Sequence, residues 1–154
     1  MGSEALQYNG QSTEPPIPAS LTIKQARLVL PDRVVTGDLQ IEDGVISAIG
    51  PRLESAGEEI DARGLLCLPG LVDPHVHLRE PGWPEREDMA SGTAAAAAGG
   101  VTSVLDMPNN RPMTDSVAAL DAKLDLAKER CRVHYGFFLA ATPDNLGEIA
   151  RAER

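Results

Sequence analysis

The chain lacks an excess of basic charge: 14 Lys and Arg stand against 23 Asp and Glu, a formal net charge of −9. That balance argues against nucleic acid or an anionic membrane as a partner and favours solubility, while leaving the fold open. No apolar run approaches the roughly 18 residues of a membrane span, and the N-terminus has neither the basic region nor the apolar core of a secretory signal. The cytoplasm is therefore the expected compartment. Cysteine is scarce, and Cys67 and Cys131 lie far apart without CxxC spacing, which excludes a disulfide framework and a zinc knuckle. Both are expected to be buried thiols. Lysine is scarcer than arginine, with Lys24, Lys123 and Lys128 alone.

What is present centres on Pro69-Gly70-Leu71-Val72-Asp73-Pro74-His75-Val76-His77-Leu78-Arg79-Glu80-Pro81-Gly82. Apolar and β-branched residues bounded by proline and glycine predict a short buried strand ending in a tight turn. Side chains alternate faces along a strand, so His75 and His77 share one, and Arg79 joins them if the extended geometry continues. Two imidazoles on one face can hold a metal such as zinc, although a zinc site takes three protein ligands plus water, or four. Taken alone, His-Val-His also fits ordinary packing. Arg79 and the Pro81-Gly82 turn add a planar cation beside the pair, an arrangement suited to an anionic substrate held against a Lewis acid.

PGLVDPHVHLREPG, followed by EDMASGTAAAAAGGVTSVLDMPNNRP, resembles the start of the catalytic barrel of the dihydroorotases, within the cyclic amidohydrolases. The resemblance runs from about Leu21 to the end and is most specific from Pro69 to Pro112. It implies that His75 and His77 bind zinc, one ion or two, and that Arg79 and Asn109 hold the substrate carboxylate beside His77. It also implies a carboxylated lysine or an aspartate, two further histidines and a final acid/base aspartate on later strands, beyond residue 154. No catalytic acid or base is thus expected within this chain. Lys24 falls in the N-terminal part, and Lys123 and Lys128 fall on an outer helix, so none is expected to reach His75 and His77.

The expected fold is α/β: a tail over 1–20, part of a small β-sandwich over 21–68, and the first three βα units of a (β/α)8 barrel over 69–154. A complete barrel takes about 250 residues, and only about 85 follow Pro69, so the expectation is the N-terminal portion of a longer enzyme. Pro15, Pro16 and Pro18 among polar residues predict a tail without a core. Asp38 to Glu42, then Asp43-Gly44, then Val45 to Ile49 predict a hairpin, because Asp-Gly suits a two-residue turn. Glu58 to Asp61 and Leu65 to Leu68 read as further strands.

Past the histidines, Glu85 to Asp88 is expected to open a helix that runs through Ala98 and stops at Gly99-Gly100. Val101 to Asp106 is the second barrel strand, with Met107 to Pro112 at its C-terminal end, the face where barrel enzymes gather their chemistry. Asn109 there is either a donor to a carboxylate or plain turn chemistry, and Asn110 and Arg111 read as turn and surface residues. Thr114 or Asp115 caps a helix to about Arg130 whose Val117, Leu120, Leu124 and Ala127 form the apolar face and whose polar face looks outward. Arg132 to Ala140 is the third strand, and Thr142 caps a third helix. His134, near the start of its strand, reads as structural; Trp83 packs or lines the mouth of the site.

Two function classes follow. One is a zinc-dependent cyclic amidohydrolase interconverting dihydroorotate and carbamoyl aspartate, with allantoinase and hydantoinase as rivals. The other is a non-catalytic relative that docks on a partner such as aspartate carbamoyltransferase or forms a homo-oligomer.

Overall fold

The computed structural model describes residues 20–152. The tail expected over 1–20 lies outside them, apart from Ser20, which begins the first strand. The chain divides into two compact units that meet in sequence at Pro69 and Gly70.

The N-terminal unit is built on β1 (Ser20–Val29), β2 (Val34–Glu42), β3 (Val45–Gly50), β4 (Glu58–Asp61) and β5 (Leu66–Cys67). They form one mixed sheet of order β3-β2-β1-β4, with β5 also paired to β1. The β2–β3 hairpin turns on Asp43-Gly44 as expected, with φ of 49° and 76° at the two residues, the mirror-image geometry that matches strand twist. β1 continues through a bulge between Ile23 and Ala26, where Gln25 takes φ 54°. Ala26, Leu28, Leu39 and Ala62 form the core of this unit. Cys67 packs at its edge and is half-buried rather than buried.

The C-terminal unit alternates strand and helix: β6 (Leu71–Val76), α1 (Met89–Ala98), β7 (Val101–Asp106), α2 (Val117–Arg130), β8 (His134–Phe137) and α3 (Leu146–Arg151). The strands are parallel in the order β6-β7-β8, three consecutive βα units. Leu78, Met89, Ala127 and Cys131 form the core, joined by Val76, Leu126, Tyr135 and Phe137. Burial pushes the Cys131 thiol up to about 11, which makes it a packing residue and a poor nucleophile.

Several boundaries shift from the sequence reading. The first helix begins at Met89, not Glu85, because Asp88 accepts the Ser91 N–H and fixes the cap one turn later. Ser116, not Thr114 or Asp115, caps α2. The third strand is only His134–Phe137, and Asn145, not Thr142, precedes α3; its side chain instead accepts the Thr142 N–H and donates to Asp115 and Ala140 carbonyls. β6 is not a buried strand: Leu71 and Val72 are exposed, since β6 is the edge of a three-stranded sheet among the described residues.

Candidate active site

Parallel pairing sets Val76 beside Asp106 and Asp106 beside Phe137, so the C-terminal ends of the three strands share one edge. The segments leaving that edge carry the sequence-predicted residues. His75 lies in β6 and His77 one residue past its end. Their rings face each other edge-on at 5.1 Å between centroids, so both imidazoles lie on the same side, as period-two geometry requires. From β7, Asn109 Oδ1 reaches His77 Nδ1 at 2.9 Å. An amide oxygen only accepts, so His77 donates its Nδ1–H there, which leaves Nε2 as the ring nitrogen turned away from Asn109.

These features fit a share of a zinc site: two imidazoles side by side, one of them held by an outer partner. Among the described residues no group of three His, Cys, Asp or Glu side chains gathers to complete a shell, so further ligands would have to come from elsewhere. Arg79 is half-buried and, among the described residues, forms none of the ion pairs.

The segments after β6 and β7 are laced together. Asn110 Nδ2 donates to the carbonyls of Leu78 and Glu80, each at 3.1 Å, and the Arg111 N–H donates to Pro81 O at 3.1 Å. Gly82 sits at φ 120° where a Cβ would lie 2.7 Å from the Arg111 Cβ, so only glycine allows this approach. Asn110 is therefore a buried tie rather than the turn residue expected. Trp83 is half-buried, its N–H on Arg79 O at 2.7 Å and Arg86 stacked 5.9 Å from its ring. His134 is exposed at the start of β8, away from this edge.

Beneath the segments lies a buried pair, Asp106 at the end of β7 and Lys123 of α2. Lys123, expected on the outward face of its helix, is 1% exposed. Its Nζ stands 2.6 Å from Asp106 Oδ2 in an ion pair rather than an aligned hydrogen bond; it also donates to Met107 O and Asn110 Oδ1 and rests 4.5 Å from the Phe137 ring centroid. Asp106 Oδ1 accepts the Leu78 N–H at 2.8 Å. Burial raises the Asp106 carboxyl and lowers the Lys123 ammonium, in each case outweighing their mutual attraction. One signal was available: Lys123 lies three residues after Leu120 and four before Ala127, within the apolar stripe rather than outside it. Nothing in the sequence marked Asn110.

Glu80 is buried as well, accepting the Met89 N–H at the start of α1 and pairing with Arg130 at the end of α2. It holds the turn after Arg79 against both helices.

Residues 66–154 match the Amidohydrolase family. The chain belongs to that family. It is 48% identical to an allantoinase of Rubrobacter xylanophilus over 114 residues, covering 73% of this chain and 25% of that protein. It is 39% identical to a dihydroorotase of Geobacter metallireducens over 134 residues, covering 84% and 32%. An L-hydantoinase from Arthrobacter aurescens superposes with a TM-score of 0.79 at 31% identity, over 85% of this chain and 30% of that one. The chain thus spans about a quarter to a third of the length of these relatives. Its three βα units match the N-terminal part of the amidohydrolase barrel, as the sequence implied. The family is one of hydrolases, and an allantoinase, a dihydroorotase and a hydantoinase stand side by side among the proteins this chain resembles. Among the described residues no helix is long and apolar enough to cross a membrane.

Proposed function

We propose that the protein to which this chain belongs is a zinc-dependent cyclic amidohydrolase, and that its ring substrate carries a carboxylate, as dihydroorotate does. The observation that carries this reading is the contact between His77 and Asn109, which brings the Met107 to Pro112 segment against the His75, His77 and Arg79 segment. A zinc ion held in part by His75 and His77 would supply a Lewis acid and an acidified water for opening the amide. The chain's own residues do the rest of the binding. With Oδ1 committed to His77, Asn109 keeps two Nδ2 protons for an anion, and Arg79 offers a fork that matches a carboxylate. In this reading both groups serve the substrate acid, and the imidazoles serve the ring amide.

A second reading, allantoinase, is favoured by the 48% identity to the Rubrobacter xylanophilus protein. Allantoin has no carboxylate, so Arg79 separates the two. In the complete protein, Arg79→Ala is expected to raise KM for dihydroorotate about tenfold or more, the loss of a charge-assisted pair, with zinc content unchanged. Turnover of allantoin alone, or equal kinetics in variant and parent, overturns the carboxylate reading.

A further inference from the structure

A buried lysine–aspartate pair is expensive: hydrophobic residues of similar volume commonly serve stability as well or better. The pair beneath this site therefore calls for another reason, and its remaining contacts give one. Asp106 takes the N–H of Leu78, Asn110 takes the Leu78 carbonyl and the Glu80 carbonyl, and Lys123 binds both side chains while also holding Met107 O. Leu78 is the residue between His77 and Arg79. Both of its backbone polar groups are gripped by side chains from the neighbouring β7 segment, and those side chains are locked together by a cation from α2.

We propose that Asp106, Asn110 and Lys123 are positioning residues that fix the Leu78 peptide and thereby set the angle between the His77 imidazole and the Arg79 guanidinium. The proposal rests on the functional reading above only in what that angle is for: the spacing between metal and substrate acid. Lys123 acts at one remove, neutralising Asp106 so that a carboxylate can serve as a buried acceptor, and orienting the Asn110 amide so that its Nδ2 faces the two carbonyls. A point-charge donor on a flexible stem can meet three acceptors at once. The aromatic face of Phe137 closes the fourth side of the ammonium.

Two double variants of the complete protein separate positioning from bulk stability. Lys123→Met with Asp106→Asn removes both charges but keeps an acceptor for Leu78; Lys123→Met with Asp106→Leu removes both charges and the acceptor. The first comparison is amide hydrogen exchange, which needs no activity. The Leu78 N–H is expected to exchange at least about tenfold faster in the leucine version than in the asparagine version, with α2 amides alike in both. The second is kinetic: KM for dihydroorotate rises about tenfold or more with the leucine version, kcat falls less, and the asparagine version recovers most of the loss. Should the leucine version fail to fold, Asn110→Ala leaves the ion pair whole and tests the carbonyl side by exchange at the Arg79 amide, which shares its peptide with the Leu78 carbonyl, and by KM. Equal exchange and equal KM in the two double variants would overturn the proposal, as would equal impairment of both. If the parent turns over no dihydroorotate, the functional reading falls, and the exchange pattern alone still decides the positioning role.

Discussion

Each unit of this chain holds one well-buried aspartate against a lysine, and the two carboxyls respond to their surroundings in opposite senses. In the N-terminal unit the β1 bulge turns Lys24 and Gln25 toward Asp38, which accepts the N–H groups of Leu53 and Gln25, both at 2.9 Å, and pairs with Lys24 at 3.1 Å. Those backbone donors, Leu53 first, hold the carboxyl down at about 2. In the C-terminal unit Asp106 has one backbone donor, and burial outweighs Lys123 to raise its carboxyl. The lesson is that the number of fixed N–H dipoles aimed at a carboxylate, more than the presence of a lysine, decides whether its charge is comfortable. The N-terminal pair staples a bulge; the C-terminal pair sits under a site and serves the backbone that carries it.

The largest test of that contrast is mutational. Lys123→Ala leaves Asp106 buried and uncompensated and is expected to lower stability by about 3–5 kcal/mol, whereas Lys24→Ala, with two backbone donors still on Asp38, is expected to cost about 1 kcal/mol. Denaturant unfolding of both variants would break the comparison if the order reversed.

Acid gives the next effect. Because folded Asp38 binds its proton less tightly than the unfolded chain, its stabilisation is present above about pH 4 and is lost as the pH falls through about 2. Asp106 has the opposite sign: its raised carboxyl takes up the proton in the folded state first, so its share is not lost on acidification. Trp83, the chain's single tryptophan, reports the C-terminal unit. Between pH 4 and 2 the strand signal in far-UV circular dichroism is expected to decline before Trp83 emission shifts, and Asp38→Asn should remove that early phase. Emission shifting first would contradict the account.

Smaller effects lie at the edges. Glu80→Ala frees the first amide of α1 and breaks the pair with Arg130, and is expected to cost about 2 kcal/mol in thermal unfolding. Asp125→Ala, which breaks only the exposed pair with Lys128, should stay within about 0.5 kcal/mol. A larger loss there would mean that surface pairs matter more in this fold than the buried contrast allows.

Local signals made much of this legible. Asp43-Gly44 and Gly99-Gly100 each carry their own geometry, and each appears in the structure where the residues predict it. The closeness of the imidazoles agrees with the spacing of His75 and His77, although His77 stands one residue past the end of β6. What escaped was set by tertiary contact. Lys123 read as solvated because lysine usually is; the partner that draws it inside, Asp106, lies 17 positions away at the end of another strand. Asn110 looked like turn chemistry beside Asn109, and only the lacing of two segments makes one buried and the other exposed.

His75 and His77 are expected to share a metal at the end of β6. The direct measurement is zinc content of the complete protein, purified without chelator, compared with His75→Ala and His77→Ala. Bound zinc in the parent that drops sharply with either substitution, while far-UV circular dichroism is preserved, is the result expected; zinc retained at the parental level in both variants would contradict it.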